Sequence, residues 1–133
     1  MAVQVPDSHA DLLRPDKKAF ACLALVTSKG EPQVTPIWFD FDGENVVLNT
    51  ARGRVKDRIL SKRPTVALVV NDPANPYRYL QIRGPVVAET EVGGYDQICE
   101  LNLKYNGDRN YPKYPGEVRV TYKVHPEHVS TMG

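Results

Sequence analysis

The sequence has little of what metal-binding or secreted domains depend on. Its 133 residues include only two cysteines and three histidines. Cys22 and Cys99 lack metal-ligand spacing in a chain without signs of export, so we expect both to be buried thiols. His125 and His128 are three residues apart, but Pro126 lies between them and the pattern offers no third ligand. We therefore expect no metal site.

Long hydrophobic runs are missing as well. No stretch approaches the length of a transmembrane helix, and the opening residues, MAVQVPDSHADLL, lack the apolar core of a signal peptide. These absences predict a cytoplasmic protein with no membrane contact. A chain of 133 residues that is 41% hydrophobic can build one modest core, so we expect a single domain over residues 1–133.

Net charge is nearly absent, yet basic residues are concentrated in one segment. The chain carries a formal charge of +1, whereas residues 52–63 alone carry +5, which leaves the rest of the chain at −4. Proteins that coat nucleic acid are usually basic throughout or along a whole face. We therefore expect no nucleic-acid partner.

Strand-like runs cover most of the chain and predict six strands. In chain order they are AFACLALVT, PQVTPIWFDF, NVVLNT, TVALVV, YLQIRGPVVAETE and VRVTYKV. The last strand is expected to alternate, with inward residues Val118, Val120, Tyr122 and Val124 and outward residues Arg119, Thr121 and Lys123.

Three helices are expected between or before these strands. One runs from Asp7 or Ser8 to Leu13, one is the basic segment, and one runs from about Gly94 to Tyr105. Strands at this spacing with intervening helices favour a mainly β (α+β) fold, a small antiparallel barrel that is closed or half-open, over a sandwich.

The basic segment, NTARGRVKDRILSKRP, follows a strand, turns at Gly53 and opens a helix. The first N–H groups of a helix have no partner within it, and glycine permits close backbone approach, so this arrangement suits a phosphate. Thr50 would add a hydroxyl, Arg54 a forked donor and Lys56 a point charge. The alternative is an amphipathic helix with a solvated basic face, because charge runs are usually solvated.

Several short motifs occur in an order that is typical of one family. They are SKGEPQVTP, WFDFDG, a strand ending in NT followed by GRVK, then RPTVAL and NPYRYLQIRG. From about Phe20 to Val124 the chain resembles the flavin and deazaflavin oxidoreductases of the pyridoxamine-phosphate-oxidase-like split β-barrel superfamily. More narrowly, it resembles the branch that uses coenzyme F420.

This resemblance implies a six-stranded antiparallel split β-barrel with flanking helices, of the FMN-binding type. It also implies a homodimer with two cofactor sites along the subunit interface. Arg54 and Lys56 occupy the positions of the family's phosphate-binding pair. The other implied cofactor-binding residues are Asn49, Thr50 and Ala51 beside that pair, Gln33, Val34, Thr35 and Pro36 along the ring, and Tyr77 and Tyr79 from the partner subunit.

Some of these assignments have plain alternatives. Tyr77 and Tyr79 suit an ordinary pair of aromatic residues between a loop and a strand, and Trp38 suits either the substrate pocket or an interface core. Arg52, Arg58 and Arg83 have no match in the family pattern, so each is expected either to meet an acidic cofactor tail or to be solvated.

No catalytic triad, paired-carboxylate motif or P-loop occurs in the sequence. This suits an enzyme whose cofactor carries the chemistry, and we assign no catalytic side chain. FMN and F420 share a ring shape and a phosphate, but F420 adds an acidic lactyl-oligoglutamate tail. Because the basic segment holds more cations than one phosphate needs, F420 is favoured and FMN is the alternative.

The expected reaction is hydride transfer between the reduced deazaflavin and an electron-poor conjugated small molecule. Two further classes remain open from the sequence. One is a carrier or sensor that binds the cofactor without turnover. The other is a small oligonucleotide-binding barrel that uses Tyr77, Tyr79 and Tyr95 as stacking platforms.

Overall fold

The computed structural model describes residues 5–133. In chain order its elements are two 3₁₀ turns (Ala10–Leu13 and Pro15–Lys17), β1 (Ala21–Val26), β2 (Pro32–Ile37), β3 (Asp40–Phe41), β4 (Val46–Ala51), α1 (Val55–Leu60), β5 (Thr65–Asp72), β6 (Asn75–Thr90), α2 (Gly94–Asn106), β7 (Arg119–Val124) and β8 (His128–Met132).

The strands form one antiparallel sheet that curls without closing. Its order is β2-β1-β5-β6-β7-β4-β3, with β8 beside β6, so β2 and β3 are its two ends. The first half of β6 pairs with β5 and β8, and the second half pairs with β7. One long strand therefore belongs to both halves of the molecule, which is the split-barrel arrangement that the sequence predicted.

Gly84 lies where β6 passes from one half to the other. A Cβ at this position would lie 1.7 Å from the backbone oxygen of His125, just beyond the end of β7. No side chain fits in that space, so glycine permits the close crossing of the two chain segments.

The structure has eight strands where the sequence predicted six. The run PQVTPIWFDF was expected to be one strand, but it breaks at Trp38 and Phe39. The amide of Phe39 donates to the Tyr105 hydroxyl (3.3 Å), and the Phe39 carbonyl accepts a hydrogen bond from Lys104 Nζ (2.9 Å). Because α2 side chains satisfy this backbone, it does not continue the strand ladder.

The other additional strand is β8, which sequence patterning missed because only Val129 in it is partly buried against the core. The predicted alternation of β7 was only half right, because Val120, Tyr122 and Val124 are buried as expected but two of the expected outward residues do not face solvent. Arg119 and Thr121 are 7% and 6% exposed, whereas Val118 is 42% exposed. Helix α2 packs against β7, so both faces of this strand are covered and period-2 patterning no longer separates inside from outside.

The helices are shorter than expected at the start of the chain. The predicted helix up to Leu13 is a single 3₁₀ turn over Ala10–Leu13, a second turn follows at Pro15–Lys17, and the basic helix α1 has only six residues. On α1, Leu60 is 1% exposed and Ile59 packs against the core, whereas Val55 is 44% exposed. No helix within residues 5–133 is long and apolar enough to cross a membrane.

Candidate functional site

A cavity of about 390 Å³ lies where β2, β4, the start of α1, α2 and the start of β7 meet. Its volume falls in the range of small-molecule sites, roughly 300–1,000 Å³. The lining residues are Gln33, Ile37, Trp38, Asn49, Thr50, Arg54, Val55, Lys56, Ile98, Leu101, Tyr111 and Arg119.

The charge on this cavity has one sign. Arg54, Lys56 and Arg119 are cations, and no carboxylate from residues 5–133 is among the lining residues. The lining also includes apolar side chains, among them Ile37, Ile98 and Leu101. A cavity lined by both cations and apolar side chains suits a ligand that combines an anionic group with a flat apolar body.

The structure brings five of the predicted cofactor-binding residues together. Gln33 of β2, Asn49 and Thr50 of β4, and Arg54 and Lys56 at the start of α1 all line the cavity. They come from three separate elements, so their convergence is a property of the fold. Lys56 forms no ion pair with any carboxylate in residues 5–133.

The remaining predicted residues do not line the cavity. Val34 and Pro36 are exposed on the opposite face of β2, because side chains alternate along a strand. Thr35 shares the face of Gln33, and its hydroxyl is buried without a hydrogen-bond partner in the described chain. Ala51 is buried at 4% exposure.

Tyr77 and Tyr79 lie on β6, outside the cavity of their own chain. Tyr77 is 82% exposed, while Tyr79 is half-buried and pairs with Asn71 of β5 and Met132 of β8. Within one chain, neither side chain contributes to the cavity. The predicted role for both residues therefore depends on a second subunit.

The turn before α1 has the expected glycine conformation, but the N–H of this glycine is hydrogen-bonded to a side chain of the same chain. Gly53 has φ of +91°, in the left-handed region. Its N–H donates to the Asp57 carboxylate at 2.9 Å, and the same carboxylate accepts the Tyr122 hydroxyl at 2.6 Å and Arg52 at 3.0 Å. Asp57 therefore accepts the Gly53 N–H, while the expected donation of the first N–H groups of α1 to a phosphate stays a prediction.

Asp57 is ionised within this cluster. Burial raises the pKa of Asp57, but the hydrogen bonds from Tyr122, Gly53 and Arg52 together outweigh burial and hold the pKa below its usual value. Asp57 therefore fixes the turn that places Arg54 and Lys56 at the cavity.

The three arginines without a family match have different surroundings. Arg52 pairs with Asp57, Glu89 (2.6 Å) and Glu91 (2.9 Å), so neither of its expected roles, tail contact or solvation, applies. Arg83 is exposed on β6. Arg58 lines a second cavity, of about 400 Å³, together with Lys62 and two hydroxyl residues of the β1–β2 turn. Val55 lines both cavities, which are therefore neighbours.

Sequence reasoning missed Arg119 because it was expected to face solvent. Arg119 Nε donates to Asn49 Oδ1 at 2.9 Å, and Nη1 lies 3.3 Å from Glu117 Oε1. Glu117 Oε2 in turn lies 3.2 Å from Arg54 Nη2. Only the pairing of β4 with β7, in which Ala51 lies opposite Arg119, creates this arrangement. No local signal in the sequence reports that register.

Trp38 lines the cavity and forms part of an aromatic stack. Its ring lies 5.2 Å from that of Tyr105, which in turn lies 5.0 Å from that of Phe20. Burial raises the pKa of Tyr105 to about 12 and lowers the pKa of the adjacent Lys104 to about 8. Phe39, beside Trp38, is fully buried within the chain. Trp38 is therefore held rigidly from one side while it lines the cavity.

Metal binding has no support in the described residues. Within residues 5–133, no three His, Cys, Asp or Glu side chains are grouped to hold a metal ion. Cys99 is buried, as expected, whereas Cys22 is only half-buried, and neither forms a disulfide.

Comparisons with known proteins agree on the family. A family model described as pyridoxamine 5′-phosphate oxidase matches residues 5–133. A solved structure named F420 Reductase is 34% identical and superposes with a TM-score of 0.82, covering 95% of this chain and 98% of that one. A conserved hypothetical protein from Mycobacterium tuberculosis is 18% identical with a TM-score of 0.74, covering 98% and 86%, and supports the fold alone.

A curated protein also matches, but only in part. Restriction of telomere capping protein 1 from Saccharomyces cerevisiae is 25% identical over 103 residues, which is 77% of this chain. The matched region spans 7% of the length of that protein. Nothing about the activity of the longer protein follows for this chain.

Proposed function

The chain belongs to the pyridoxamine 5′-phosphate oxidase family and has its flavin-binding oxidoreductase fold, and from that premise we propose that it is an F420-dependent oxidoreductase. It transfers a hydride between the reduced deazaflavin and an electron-poor conjugated small molecule in the cytoplasm. The observation that carries the proposal is the cavity lined by three cations and several apolar side chains, with no lining carboxylate from residues 5–133. The 34% identity to an F420 Reductase over 95% of the chain supports the choice of cofactor.

Arg54 and Lys56 would hold the cofactor phosphate. Arg54 is a forked donor with a side chain that is 56% exposed, so it is accessible to an incoming anion. Lys56 is half-buried in the cavity wall and makes no ion pair in the described chain, so its charge is available to a ligand. The Asp57 cluster keeps both residues in place when the ligand is absent or present.

Strand β2 would hold the polar edge of the ring. It is an end strand of the sheet, so one of its backbone edges has no strand partner. The Thr35 hydroxyl is buried without a hydrogen bond in the described chain, which is costly unless a ligand or water satisfies it. Gln33, on the same face, lines the cavity. These groups fit the carbonyl and N–H edge of a flavin-type ring.

The apolar side chains of the lining would keep water from the reacting atoms. Ile98 and Leu101 are 4% and 1% exposed, and both line the cavity from α2. The cofactor supplies the hydride chemistry when it is bound. The chain itself contributes binding, orientation and a dry surface, which suits the absence of a recognisable catalytic side chain in the sequence.

The second cavity supports F420 over FMN. Arg58 and Lys62 line it, its volume is about 400 Å³, and it shares Val55 with the first cavity. An anionic extension that leaves the phosphate site would meet these two cations. FMN has no such extension, so it remains the alternative cofactor for the same phosphate site.

A homodimer with cofactor sites at the subunit interface is part of this proposal. The outer face of β1 and β2 exposes large apolar side chains, with Val26 at 60% and Val34 at 65%, and Phe20, just before β1, is 53% exposed. An apolar sheet face of this kind is usually covered in solution. A second subunit on it would also give Tyr77 and Tyr79 a route to a cofactor site.

Sedimentation velocity tests the dimer. We expect a dimer at micromolar concentration, and Val34→Lys should weaken it by placing a charge on the outer face of β2. A wild-type monomer that binds the cofactor tightly would contradict the shared site and the roles of Tyr77 and Tyr79.

Titration with both cofactors tests the function. We expect F420 to bind the purified protein more tightly than FMN, measured by cofactor fluorescence, and the bound reduced F420 to be oxidised by quinone-like or enone-like acceptors. Tight FMN binding without F420 binding would replace the proposal with the FMN alternative. Tight binding of F420 without oxidation by any acceptor would leave a carrier or sensor.

A further inference from the structure

The Glu117 carboxylate lies between two arginines at the edge of the cavity. Its Oε2 is 3.2 Å from Arg54 Nη2, and its Oε1 is 3.3 Å from Arg119 Nη1. Glu117 itself is not a lining residue, whereas both arginines are. An oxyanion is therefore already held between two guanidinium groups that face the cavity.

Arg119 is the fixed member of this pair. Its side chain is 5% exposed, and Nε donates to Asn49 Oδ1 at 2.9 Å. Asn49 Nδ2 donates in turn to the Gly94 carbonyl (2.8 Å) and to Gln97 Oε1 (3.0 Å), both on α2. This chain of hydrogen bonds orients the guanidinium before any ligand arrives.

The two N–H donors on Nη2 of Arg119 are left over. Within residues 5–133, Nη2 of Arg119 makes no hydrogen bond, although the side chain is almost entirely buried and lines the cavity. The Tyr111 ring covers the guanidinium at 5.4 Å. Nη2 is not among the fully buried polar atoms that lack a partner in residues 5–133, so it is reachable from the cavity that Arg119 lines and can donate to an anion there.

Glu117 is placed where it can move. It lies in the irregular segment between α2 and β7, directly after Gly116, which has φ of +76°. Residues 112–116 are all exposed. Displacing the Glu117 side chain costs only its two contacts with arginines, whereas the Arg119 side chain is also held by Asn49.

We propose that Arg119 is a further anion-binding residue of the cavity, and that Glu117 competes with the ligand's phosphate for Arg54 and Arg119. This deepens the proposed function, because it extends the phosphate site from two cations to three and gives it an internal competitor. Two guanidinium groups that share one carboxylate are spaced to share one phosphate, whose oxygens take the same positions. Glu117 therefore lowers the affinity for anionic ligands and keeps the two arginines paired until a ligand displaces it.

If the role of Glu117 is purely structural, the opposite result is expected. If Glu117 only holds Arg54 in position for a ligand, removing its charge lets Arg54 move and weakens binding. If Glu117 competes, removing its charge strengthens binding. The sign of the effect of Glu117→Gln therefore separates the two.

The experiment uses inorganic phosphate as the probe and Trp38 fluorescence as the readout. Trp38 is the only tryptophan in the chain and lines the cavity. Phosphate is titrated against full-length protein at constant ionic strength, for the wild type, Glu117→Gln, Arg119→Lys and Arg119→Met. The matched control is Glu100→Gln, which removes an exposed carboxylate paired with Arg109 outside this cavity.

We expect Glu117→Gln to bind phosphate roughly 3- to 10-fold more tightly, and Arg119→Met to bind it at least about 10-fold more weakly, as for the loss of one charge-assisted hydrogen bond. Arg119→Lys should fall between Arg119→Met and the wild type, and Glu100→Gln should match the wild type. Unchanged or weaker binding in Glu117→Gln overturns the proposal, and so does wild-type affinity in Arg119→Lys and Arg119→Met. If Arg119→Met does not fold, Arg119→Lys and Glu117→Gln still decide the outcome.

The same variants titrated with F420 and FMN separate this inference from the proposed function. Tighter phosphate binding by Glu117→Gln without any F420 binding would retain the anion site and reject the cofactor. F420 binding that neither Arg119→Lys nor Glu117→Gln alters would retain the cofactor and reject the roles of Arg119 and Glu117.

Discussion

Arg52 and Arg54 are separated by one residue, yet they belong to two different regions of the molecule. Arg52 lies among Asp57, Glu89 and Glu91, so its charge is neutralised by carboxylates from α1 and from the end of β6. Arg54 faces the cavity with one shared carboxylate. The comparison teaches that a run of positive charge has no single role, because distant strands decide which of its members remain available.

The largest expected effect comes from removing the Asp57 carboxylate, which would reduce the difference between the surroundings of Arg52 and Arg54. Asp57→Ala leaves Arg52, the Tyr122 hydroxyl and the Gly53 N–H without their shared acceptor. We expect the free energy of unfolding to fall by about 2–4 kcal/mol, since a largely buried charged acceptor is lost. Urea denaturation measures the change.

The control for that prediction is Tyr122→Phe, which removes one donor and keeps the carboxylate. It should cost less than Asp57→Ala, about 1 kcal/mol. If Asp57→Ala is no more harmful than an ordinary surface substitution, within about 0.5 kcal/mol, the cluster is not what fixes the turn.

Removing the cations that line the cavity should have the reverse effect, because it should weaken cofactor binding and leave stability almost unchanged. Arg54→Ala and Lys56→Ala should each weaken cofactor binding by about 1.5–3 kcal/mol, or roughly 10- to 150-fold, through the loss of a charge-assisted contact. Their effect on unfolding should stay within about 0.5 kcal/mol. Calorimetric titration gives the first quantity and urea denaturation the second. Wild-type affinity in both variants would show that the segment is only a solvated basic helix.

Lys104 adds a third case to the comparison. It is a cation that is neither paired with several carboxylates nor part of the lining of the main cavity. It is 8% exposed, and burial lowers its pKa to about 8 despite the opposing field of Asp40. Between pH 8 and the ordinary lysine pKa the unfolded chain binds more protons than the folded one, so stability should rise with pH in that window.

The pH effect of Lys104 is measured against Lys104→Met. Relative to that variant, wild-type stability should increase by about 1–2 kcal/mol between pH 8 and 10, allowing for incomplete burial. The measurement should stop near pH 10, because burial raises the pKa of Tyr105 to about 12 and its ionisation acts in the opposite sense. Parallel pH curves for the two proteins would show that Lys104 titrates normally.

The smallest expected effect concerns Lys62, which lines only the second cavity. Lys62→Ala should leave FMN affinity unchanged, because FMN carries no acidic extension beyond the phosphate. It should weaken F420 affinity by about 0.3–1 kcal/mol, or roughly 2- to 5-fold, as for a partly exposed charge contact. If Lys62→Ala changes the affinity for both cofactors by the same small amount, the second cavity does not bind the F420 tail.

Local pattern was sufficient for part of the site. The strand-turn-helix pattern around Gly53 predicted Arg54 and Lys56 beside a phosphate; both line the cavity, and their contact with a phosphate stays a prediction. The alternation of β2 also explains why Gln33 lines the cavity while Val34 does not. Periodicity was a sound guide along β2, where one face lines the cavity, and it failed along β7, where both faces are covered.

The rest of the site depends on long-range pairing. Arg119 reaches the cavity because β7 pairs with β4 and α2 covers its outer face, and neither fact is encoded near Arg119. The break at Phe39 likewise depends on Lys104 and Tyr105, more than sixty residues away. In the sequence, the residues around Phe39 look like an ordinary strand, and those around Lys104 and Tyr105 look like an ordinary helix.

The long strand β6 has a consequence for how the molecule opens. Its first half pairs with β5 and β8, and its second half pairs with β7, so neither half of the sheet can unfold without disturbing the other. Strand β2, in contrast, is held by β1 alone. The amides of β6 should therefore exchange with solvent only in global unfolding, while those of β2 exchange through local fraying. The proposed ring-binding strand β2 is thus the part of the cavity wall that opens most readily, and a ligand should enter the cavity there.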